Sequence, residues 1–154
     1  MILLLIRHGN AARQTIDHSL HLTSRGQKEV FQTAQAIQAK KIILESIWHS
    51  PKPRTVETAR ILLEKIGLTQ DRLEEKKELA PDGDAQKIYD NLMEEKPVCA
   101  ALVTHLPFLE KFAPLILEDM KEIPELEFPT AGVQAFEWQK EWKWLWSFDP
   151  SKLI

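Results

Sequence analysis

The chain has 154 residues, 44% of them hydrophobic and 28% charged, and a formal net charge of −3 at pH 7. This length predicts one domain, residues 1–154, with enough residues to bury a core. The slightly acidic balance argues against a nucleic-acid-binding protein, and the single cysteine excludes an internal disulfide and a cysteine-based metal site.

The first predicted element is a strand over residues 2–7. Its apolar run, ILLLI, is typical of a strand that is buried on both faces of a parallel sheet. In open α/β sheets the ligand crevice lies beyond the carboxyl ends of the strands, so we expect Arg7 and His8 at the mouth of a site. The run is too short to cross a bilayer and lacks the charged segment and the cleavage site of a signal peptide. We therefore expect a cytoplasmic protein that does not span a membrane.

The next third of the chain predicts a loop, a helix, a strand and a second helix. Residues 10–21 are polar and predict a loop, after which Thr23 or Ser24 is expected to cap a helix. The apolar stripe expected on that helix comprises Val30, Phe31, Ala34 and Ile37. ESIWHS, residues 45–50, predicts a strand, and residues 54–67 predict an amphipathic helix that ends on a glycine.

The middle of the chain adds a short strand, a helix and a second clearly buried strand. Residues 73–79 are compatible with an exposed edge strand, and a turn at 81–84 leads into a helix over 84–96. The side chains expected to face inward from that helix are Ile88, Tyr89 and Leu92. VCAALVT, residues 98–104, predicts a fully buried strand in which Cys99 is a small core residue.

The last third of the chain predicts a helix and a closing hairpin. Pro107 is tolerated in the first helical turn, whereas Pro114 is expected to kink the helix or end it early. Alternating residues on both sides of 139–141 predict two antiparallel strands. We expect one face of the second strand to cover a core or a sheet edge and not to stack on bases or sugars, because no basic groove accompanies it. The aromatic residues expected to share that face are Trp142, Trp144, Trp146 and Phe148.

Strands that alternate with helices predict a three-layer α/β/α domain with a mostly parallel central sheet and helices on both faces. Arg7 and His8 then follow the first buried strand. Arg54 follows the second strand and His105 follows the third, so all three loops meet at one edge of the sheet. Helix N-termini add partial positive charge there. A phosphoryl group is the ligand that fits such a cluster best, because guanidinium groups bind its oxygens bidentately.

Four motifs resemble, in order, those of the histidine phosphatase (phosphoglycerate mutase-like) superfamily: RHG at 7–9, LTSRG at 22–26, SPKPRTVETA at 50–59 and THLP at 104–107. The short chain and the segment ELAPDGDA, residues 78–85, are similar to SixA-type phosphohistidine phosphatases. The resemblance implies a phosphoglycerate mutase-like fold. It implies that His8 is the nucleophile and becomes transiently phosphorylated. It also implies that Arg7, Arg54 and His105 surround the phosphoryl oxygens.

Two places depart from the SixA-type pattern. Asn10 stands where these proteins usually carry an aspartate. Leu20 and His21 stand where an arginine is usual. Asn10 can bind a phosphoryl oxygen or a water but cannot donate a titratable proton. Asp84, a candidate substrate-binding residue, or Glu78 could supply a general acid, although aspartate and glycine are also common in turns for backbone reasons alone.

The sequence thus favours a phosphatase that needs no metal or other cofactor, since fixed cations can stabilise phosphoryl transfer. His18, His21 and His49 match no motif, have no zinc-ligand spacing and are expected in loops or at the surface. The favoured substrate is a phosphohistidine in a partner protein, for example a phosphotransfer domain, because the short chain leaves little to build the lid of a small-molecule site. Two alternatives remain open: a phosphatase of small phosphate esters, and a phosphate-binding module without catalysis.

Overall fold

A six-stranded sheet with helices on both faces forms the centre of the protein. The computed structural model describes residues 1–14 and 17–153. Over those residues the elements are β1 (Ile2–Arg7), β2 (Ala11–Arg13), β3 (Leu20–Leu22), α1 (Ser24–Ala39), β4 (Ser46–His49), α2 (Pro53–Ile66), β5 (Leu73–Glu75), α3 (Ala85–Glu95), β6 (Cys99–Thr104), α4 (Leu106–Leu117), β7 (Val133–Trp138) and β8 (Trp142–Phe148).

The sheet has the strand order β5-β4-β6-β1-β7-β8. Strands β5, β4, β6 and β1 run parallel to one another. On the other side of β1, β7 pairs antiparallel with β1, and β8 pairs antiparallel with β7. All of β6 and the four central residues of β1 are buried, as the continuous apolar runs predicted. The mostly parallel sheet expected from the alternation of strands and helices is confirmed.

Two apolar cores lie on opposite faces of the sheet, which confirms the three-layer architecture. Helices α1 and α2 cover one face, and their buried side chains include Val30, Ala34, Ile37, Ala59 and Leu62. Helices α3 and α4 cover the other face with Ile88, Leu92, Phe108 and Phe112. Cys99 lies in the first core, and burial raises the pKa of its thiol to about 12, so it is the core residue that was predicted.

Local sequence explains where the helices begin and end. Thr23 caps α1, because its hydroxyl accepts a hydrogen bond from the backbone N–H of Gly26. Gly67 ends α2 with φ at 85°, a left-handed conformation that a residue without Cβ adopts freely. Both predictions are confirmed. The prediction that Phe31 belongs to the apolar stripe of α1 is wrong, because this residue is 39% exposed. The ammonium nitrogen of Lys65 lies over its ring, 4.7 Å from the ring centroid.

Three predicted elements differ from the structure. The predicted loop at 10–21 contains β2 and β3, which pair as a small antiparallel sheet, while residues 15 and 16 lie outside the described residues. Only Leu73–Glu75 of the predicted edge strand 73–79 is strand, paired with β4. Helix α4 does not end early at Pro114 but continues to Leu117, because burying Ile116 in the second core outweighs the one backbone bond that the proline removes.

The aromatic residues of β8 do not share one face. Ala135 pairs with Trp146 and its neighbour Phe136 pairs with Trp144, so β8 holds one extra residue in a β-bulge. The bulge reverses the alternation, and Trp142 therefore packs in the core beneath α3 and α4. The residues after the bulge, Trp146 and Phe148, pack on the core of α1 and α2 instead. The expected role of covering a core is confirmed for Trp142, Trp146 and Phe148. Trp144 does not share this role, because it is 41% exposed.

None of the helices described in residues 1–14 and 17–153 combines the length and apolar character needed to cross a bilayer. The longest of them, α1, has 16 residues, several of them charged. A membrane span needs about 20 mostly apolar residues. The cytoplasmic location stays a prediction.

Candidate active site

The structure brings the four predicted site residues together at one edge of the sheet. Arg7 ends β1 and His8 follows it, while Arg54 lies in the first turn of α2 and His105 directly precedes α4. Strands β4, β6 and β1 are neighbours, so the loops after them converge. The ring centroids of His8 and His105 are 5.4 Å apart. The positive charges of Arg54 and Arg7 act on both imidazoles, whose pKa values they lower.

His8 is held as a neutral imidazole with a defined tautomer. Its Nδ1 lies 2.8 Å from the backbone oxygen of Gly9. A carbonyl can only accept, so Nδ1 carries the proton and Nε2 keeps its lone pair. Burial, together with the charges of Arg54 and Arg7, lowers the pKa of His8 to about 4 against the opposing effect of the Gly9 hydrogen bond. An unprotonated ring nitrogen of this kind is a competent nucleophile at neutral pH.

Hydrogen bonds tie the His8 loop to α2. The backbone N–H of Gly9 donates to the hydroxyl of Thr58 at 3.0 Å, and that hydroxyl donates to the carbonyl of Arg54 at 2.8 Å. Thr58 is fully buried, so the pair of bonds is shielded from water. The backbone that carries His8 is therefore fixed against the turn that carries Arg54.

A strained turn before β7 supports the same loop from the other side. The backbone N–H of Ala131 donates to the carbonyls of both Arg7 and His8 at 3.0 Å. Ala131 has φ at 58°, which is unfavourable for a residue with a side chain. Its own carbonyl accepts a 2.7 Å hydrogen bond from the Thr33 hydroxyl of α1. Strain of this kind persists where surrounding contacts hold it, and here they hold the end of β1.

Two motif glycines let α1 pack directly on the loop. A Cβ placed at Gly26 would lie 2.1 Å from the backbone oxygen of Asn10, and one at Gly9 would lie 2.8 Å from Val30 Cγ2. Real side chains do not tolerate such separations, so both positions require glycine because of close approach. The glycine of the LTSRG motif thus lets the helix pack against the segment that follows His8.

Arg7 and His105 each carry a buried nitrogen that no group in the described residues satisfies. One terminal nitrogen of Arg7 donates to the carbonyl of Phe128 at 3.0 Å, whereas its Nε is buried without a partner. The same holds for Nδ1 of His105. A buried unsatisfied donor costs about 1–3 kcal/mol, so the two nitrogens favour an anion that would accept from both. The third such nitrogen, Nε1 of Trp48, belongs to the core.

His105 and Arg54 complete the predicted cluster, the first as a neutral imidazole and the second as a cation. His105 is 1% exposed, and its Nε2 lies 2.8 Å from the Ser50 hydroxyl. Burial lowers the pKa of His105 to about 3, helped by the charges of Arg54, His8, Lys52 and Arg7. Burial also lowers the pKa of Arg54, which a guanidinium tolerates without losing its charge at neutral pH. Lys52, which the sequence did not single out, adds a third cation beside the two arginines and the two neutral imidazoles.

Asn10 is oriented by its neighbours. Its side-chain oxygen accepts a 2.7 Å hydrogen bond from the Thr23 hydroxyl. The amide nitrogen, which can donate two hydrogen bonds, is the group left for a ligand. The backbone N–H of Asn10 donates to the Glu29 carboxylate at 3.2 Å. Asn10 thus stays a candidate donor to a phosphoryl oxygen, and its side chain has no titratable proton.

Glu29 is a site-supporting residue that sequence reasoning missed. Its buried carboxylate accepts from the N–H of Asn10 and, at 3.3 Å, from the Thr130 hydroxyl. Its negative charge raises the pKa of Arg7 against the larger, lowering effect of burial. A buried carboxylate persists only when it is paired in this way. Glu29 lies three residues after Gly26 of the LTSRG motif, and this position is the signal from which its role could have been predicted.

The two predicted acid candidates have structural partners. Asp84 caps α3, because its carboxylate accepts a 3.0 Å hydrogen bond from the backbone N–H of Lys87. Glu78 lies 3.0 Å from the ammonium of Lys87, which holds the pKa of Glu78 below its ordinary value. These contacts explain the ELAPDGDA segment as a helix start. A catalytic or substrate-binding role for either carboxylate stays a prediction.

The remaining histidines lie in three different settings. His18 is exposed in a turn with φ at 59°, and His21 bridges the carboxylates of Asp17 and Glu57 at 2.8 and 2.9 Å, which raises the pKa of His21. His18 is a surface group, as expected, whereas His21 is the partly exposed middle residue of β3. His49 was wrongly expected at the surface: it is the buried last residue of β4. Within residues 1–14 and 17–153, no group of three or more His, Cys, Asp or Glu side chains could hold a metal ion.

Comparison with known proteins gives a family match and several similar folds. The family model described as histidine phosphatase superfamily (branch 1) matches residues 3–97, and no curated protein matches the sequence. The structure of the protein histidine phosphatase SixA complexed with tungstate has a TM-score of 0.85 at 22% identity, with 100% of both chains covered. A candidate phosphohistidine phosphatase SixA from Agrobacterium tumefaciens has a TM-score of 0.79 at 17% identity, with 97% of both chains covered. A mycobacterial glucosyl-3-phosphoglycerate phosphatase complexed with VO₃ has a TM-score of 0.71 at 15% identity, covering 94% of this chain and 98% of that one. The predicted phosphoglycerate mutase-like fold is confirmed.

Proposed function

This chain belongs to the histidine phosphatase superfamily, and on that premise we propose that it removes the phosphoryl group from a phosphohistidine in a partner protein. The observation that carries the proposal is the neutral, half-buried His8, whose Nε2 has no hydrogen-bond partner among the described residues while the charges of Arg7 and Arg54 act on its ring. A nucleophile next to fixed cations is what transfer of a phosphoryl group requires.

In the first step, Nε2 of His8 attacks the phosphorus of the substrate. The new N–P bond forms as the P–N bond of the substrate breaks, and the departing imidazole takes that electron pair. The guanidinium groups of Arg7 and Arg54, with His105, bind the phosphoryl oxygens while charge moves across them. The proton stays on Nδ1 of His8, and its hydrogen bond to the Gly9 carbonyl stabilises the positive ring of the phosphoenzyme.

In the second step, a water molecule attacks the phosphorus of phosphorylated His8. The N–P bond breaks and its electron pair returns to Nε2, so His8 is again a neutral imidazole. Inorganic phosphate leaves with the two protons of the water or gives one of them to solvent. Covalent catalysis thus divides one difficult displacement into two easier ones.

Asn10 supports phosphohistidine as the substrate. An alkoxide that leaves a phosphate ester needs a proton in the transition state, which an asparagine cannot supply. An imidazole that leaves a phosphohistidine can already be protonated on its other nitrogen, so it needs less help. The position after the RHG motif is therefore compatible with a phosphoramidate and unfavourable for an ordinary ester.

Turnover of the two substrate classes tests this proposal. Phosphate release from a phosphohistidine-bearing carrier protein is compared with release from sugar phosphates, at equal concentrations and with EDTA present throughout because the proposed reaction needs no metal. The phosphohistidine protein is expected to react faster. Faster hydrolysis of the esters would replace the proposal by a small-molecule phosphatase.

The pKa of His8 gives a prediction for pH. Because burial lowers this pKa to about 4 from an ordinary value of 6.5, the imidazole is expected to remain neutral as the pH falls toward 4. The unfolded chain takes up that proton near pH 6.5, so the fold loses stability as the pH falls between those two values. An NMR titration of the free protein measures His8 protonation, with tryptophan fluorescence as the check that the fold persists. A titration midpoint near 6.5 in the folded protein would contradict the prediction.

A further inference from the structure

We infer that Ser50 is a positioning residue that holds His105 in the tautomer with its proton on Nδ1, so that this N–H donates to the phosphoryl group. The inference rests on the proposed function, because it concerns how the same site binds the phosphoryl oxygens. It adds a residue that does not touch the substrate and acts through His105.

The hydrogen bonds of the Ser50 hydroxyl specify the tautomer. Among the described residues this hydroxyl has two partners, the backbone N–H of Lys52 at 3.3 Å and Nε2 of His105 at 2.8 Å. A backbone N–H can only donate, so the hydroxyl oxygen accepts from Lys52. The hydroxyl of this fully buried residue also has one proton to donate, and of its two partners Nε2 is the one that can accept it. A neutral His105 consequently carries its own proton on Nδ1.

The backbone keeps Ser50 in place. Ser50 is fully buried directly after β4, and its N–H donates to the carbonyl of Val103 in β6 at 3.2 Å. Its carbonyl accepts hydrogen bonds from Nδ1 of His49 at 2.9 Å and from the Thr55 hydroxyl at 2.8 Å. With both backbone groups bonded and the residue fully buried, the side chain is held toward the His105 ring.

The tautomer decides whether His105 attracts or repels a phosphoryl oxygen. Nδ1 is the remaining polar atom of a ring that lies 5.4 Å from the ring of His8, and it is buried without a partner in the described part of the chain. If Nδ1 carries a proton, it donates a hydrogen bond to the anion and is no longer unsatisfied. Without one it would turn a lone pair toward the negatively charged oxygens. Burial and the surrounding cations keep the pKa of His105 near 3, so a second proton cannot resolve the choice at neutral pH.

The test combines NMR of the histidine tautomers with kinetics. In the free wild-type protein, nitrogen shifts and proton couplings of ¹⁵N-labelled His105 are expected to show a protonated Nδ1 and an unprotonated Nε2. Ser50→Ala is expected to lose that preference and to lower kcat about 10²-fold with little change in KM, as when one donor to a developing oxyanion is removed. Ser50→Thr retains the hydroxyl and is expected to restore the tautomer and most of kcat. Ser147→Ala, which removes an exposed hydroxyl of β8 outside the cluster, is expected to keep the wild-type tautomer.

Two results would overturn the inference. One is a wild-type His105 with its proton on Nε2, a result that needs no variant to fold and no activity to be measured. The other is a folded Ser50→Ala protein with an unchanged tautomer and an unchanged kcat. A wild-type protein that hydrolyses no phosphohistidine would instead remove the proposed function, and the NMR measurement would still decide the tautomer.

Discussion

Replacing His8 with alanine is expected to abolish formation of a phosphoenzyme and to remove turnover of a phosphohistidine substrate. In the proposed mechanism the imidazole supplies the Nε2 that forms the covalent bond, and the methyl group of alanine has no atom that could replace it. The arginines can still bind a phosphoryl group, so substrate binding is expected to survive. Enzymes that lose a nucleophile retain only the small acceleration that binding and charge stabilisation provide.

Labelling with a phosphohistidine protein whose phosphorus is radioactive measures this effect. Wild type is expected to carry label on His8, and His8→Ala is expected to carry none. His18→Ala is the matched control, because His18 is an exposed histidine outside the cluster and its replacement is expected to leave the label intact. Label on the His8→Ala protein would contradict the assignment of the nucleophile. A wild-type protein that no phosphodonor labels would favour a phosphate-binding module without catalysis.

The second large effect is expected from removing either guanidinium group. Arg7→Ala and Arg54→Ala are each expected to lower kcat/KM by about 10³-fold, because a charge pair at about 4 Å is worth a few kcal/mol in a partly wet site and each 1.4 kcal/mol is tenfold in rate. Arg54→Lys keeps the charge but loses the planar pair of donors, so it is expected to fall between wild type and Arg54→Ala.

Steady-state kinetics with circular dichroism checks both the rate and the fold. Arg60→Ala is the control, since Arg60 is an exposed arginine farther along α2, and it is expected to have wild-type activity. The fold is expected to survive both losses, because Arg54 lies in the first turn of its helix and burial disfavours the charge of Arg7. Variants that unfold, or that remain fully active, would contradict the assigned roles.

The main elements of the fold could be predicted because each has a strong local signal. β1 and β6 are continuous apolar runs, and the end of α2 is marked by Gly67. A parallel sheet then places the ends of neighbouring strands at one edge, which is why Arg7 and His105 could be assigned to one site before any distance was known.

The supporting contacts could not be predicted, because they join segments that are distant in the chain. Ser50 belongs to a motif, yet its hydrogen bond to His105 spans 55 residues. Glu29 and Ala131 support the His8 loop from a helix and from the turn before β7, and neither has a local pattern that points to that role. The bulge in β8 could not be predicted for another reason. One inserted residue reverses the face of the sheet on which each later side chain lies, and the alternation of residues in the sequence does not reveal that insertion.

The central claim is that Arg7, His8, Arg54 and His105 enclose one tetrahedral phosphoryl group. A crystal structure of the protein with bound tungstate, an analogue of phosphate, tests it most directly. The account predicts one tungstate next to Nε2 of His8, with its oxygens within about 3 Å of nitrogen donors from both arginines and of Nδ1 of His105. A tungstate bound at His8 that Arg54 or His105 does not reach, or one bound away from His8, would contradict it.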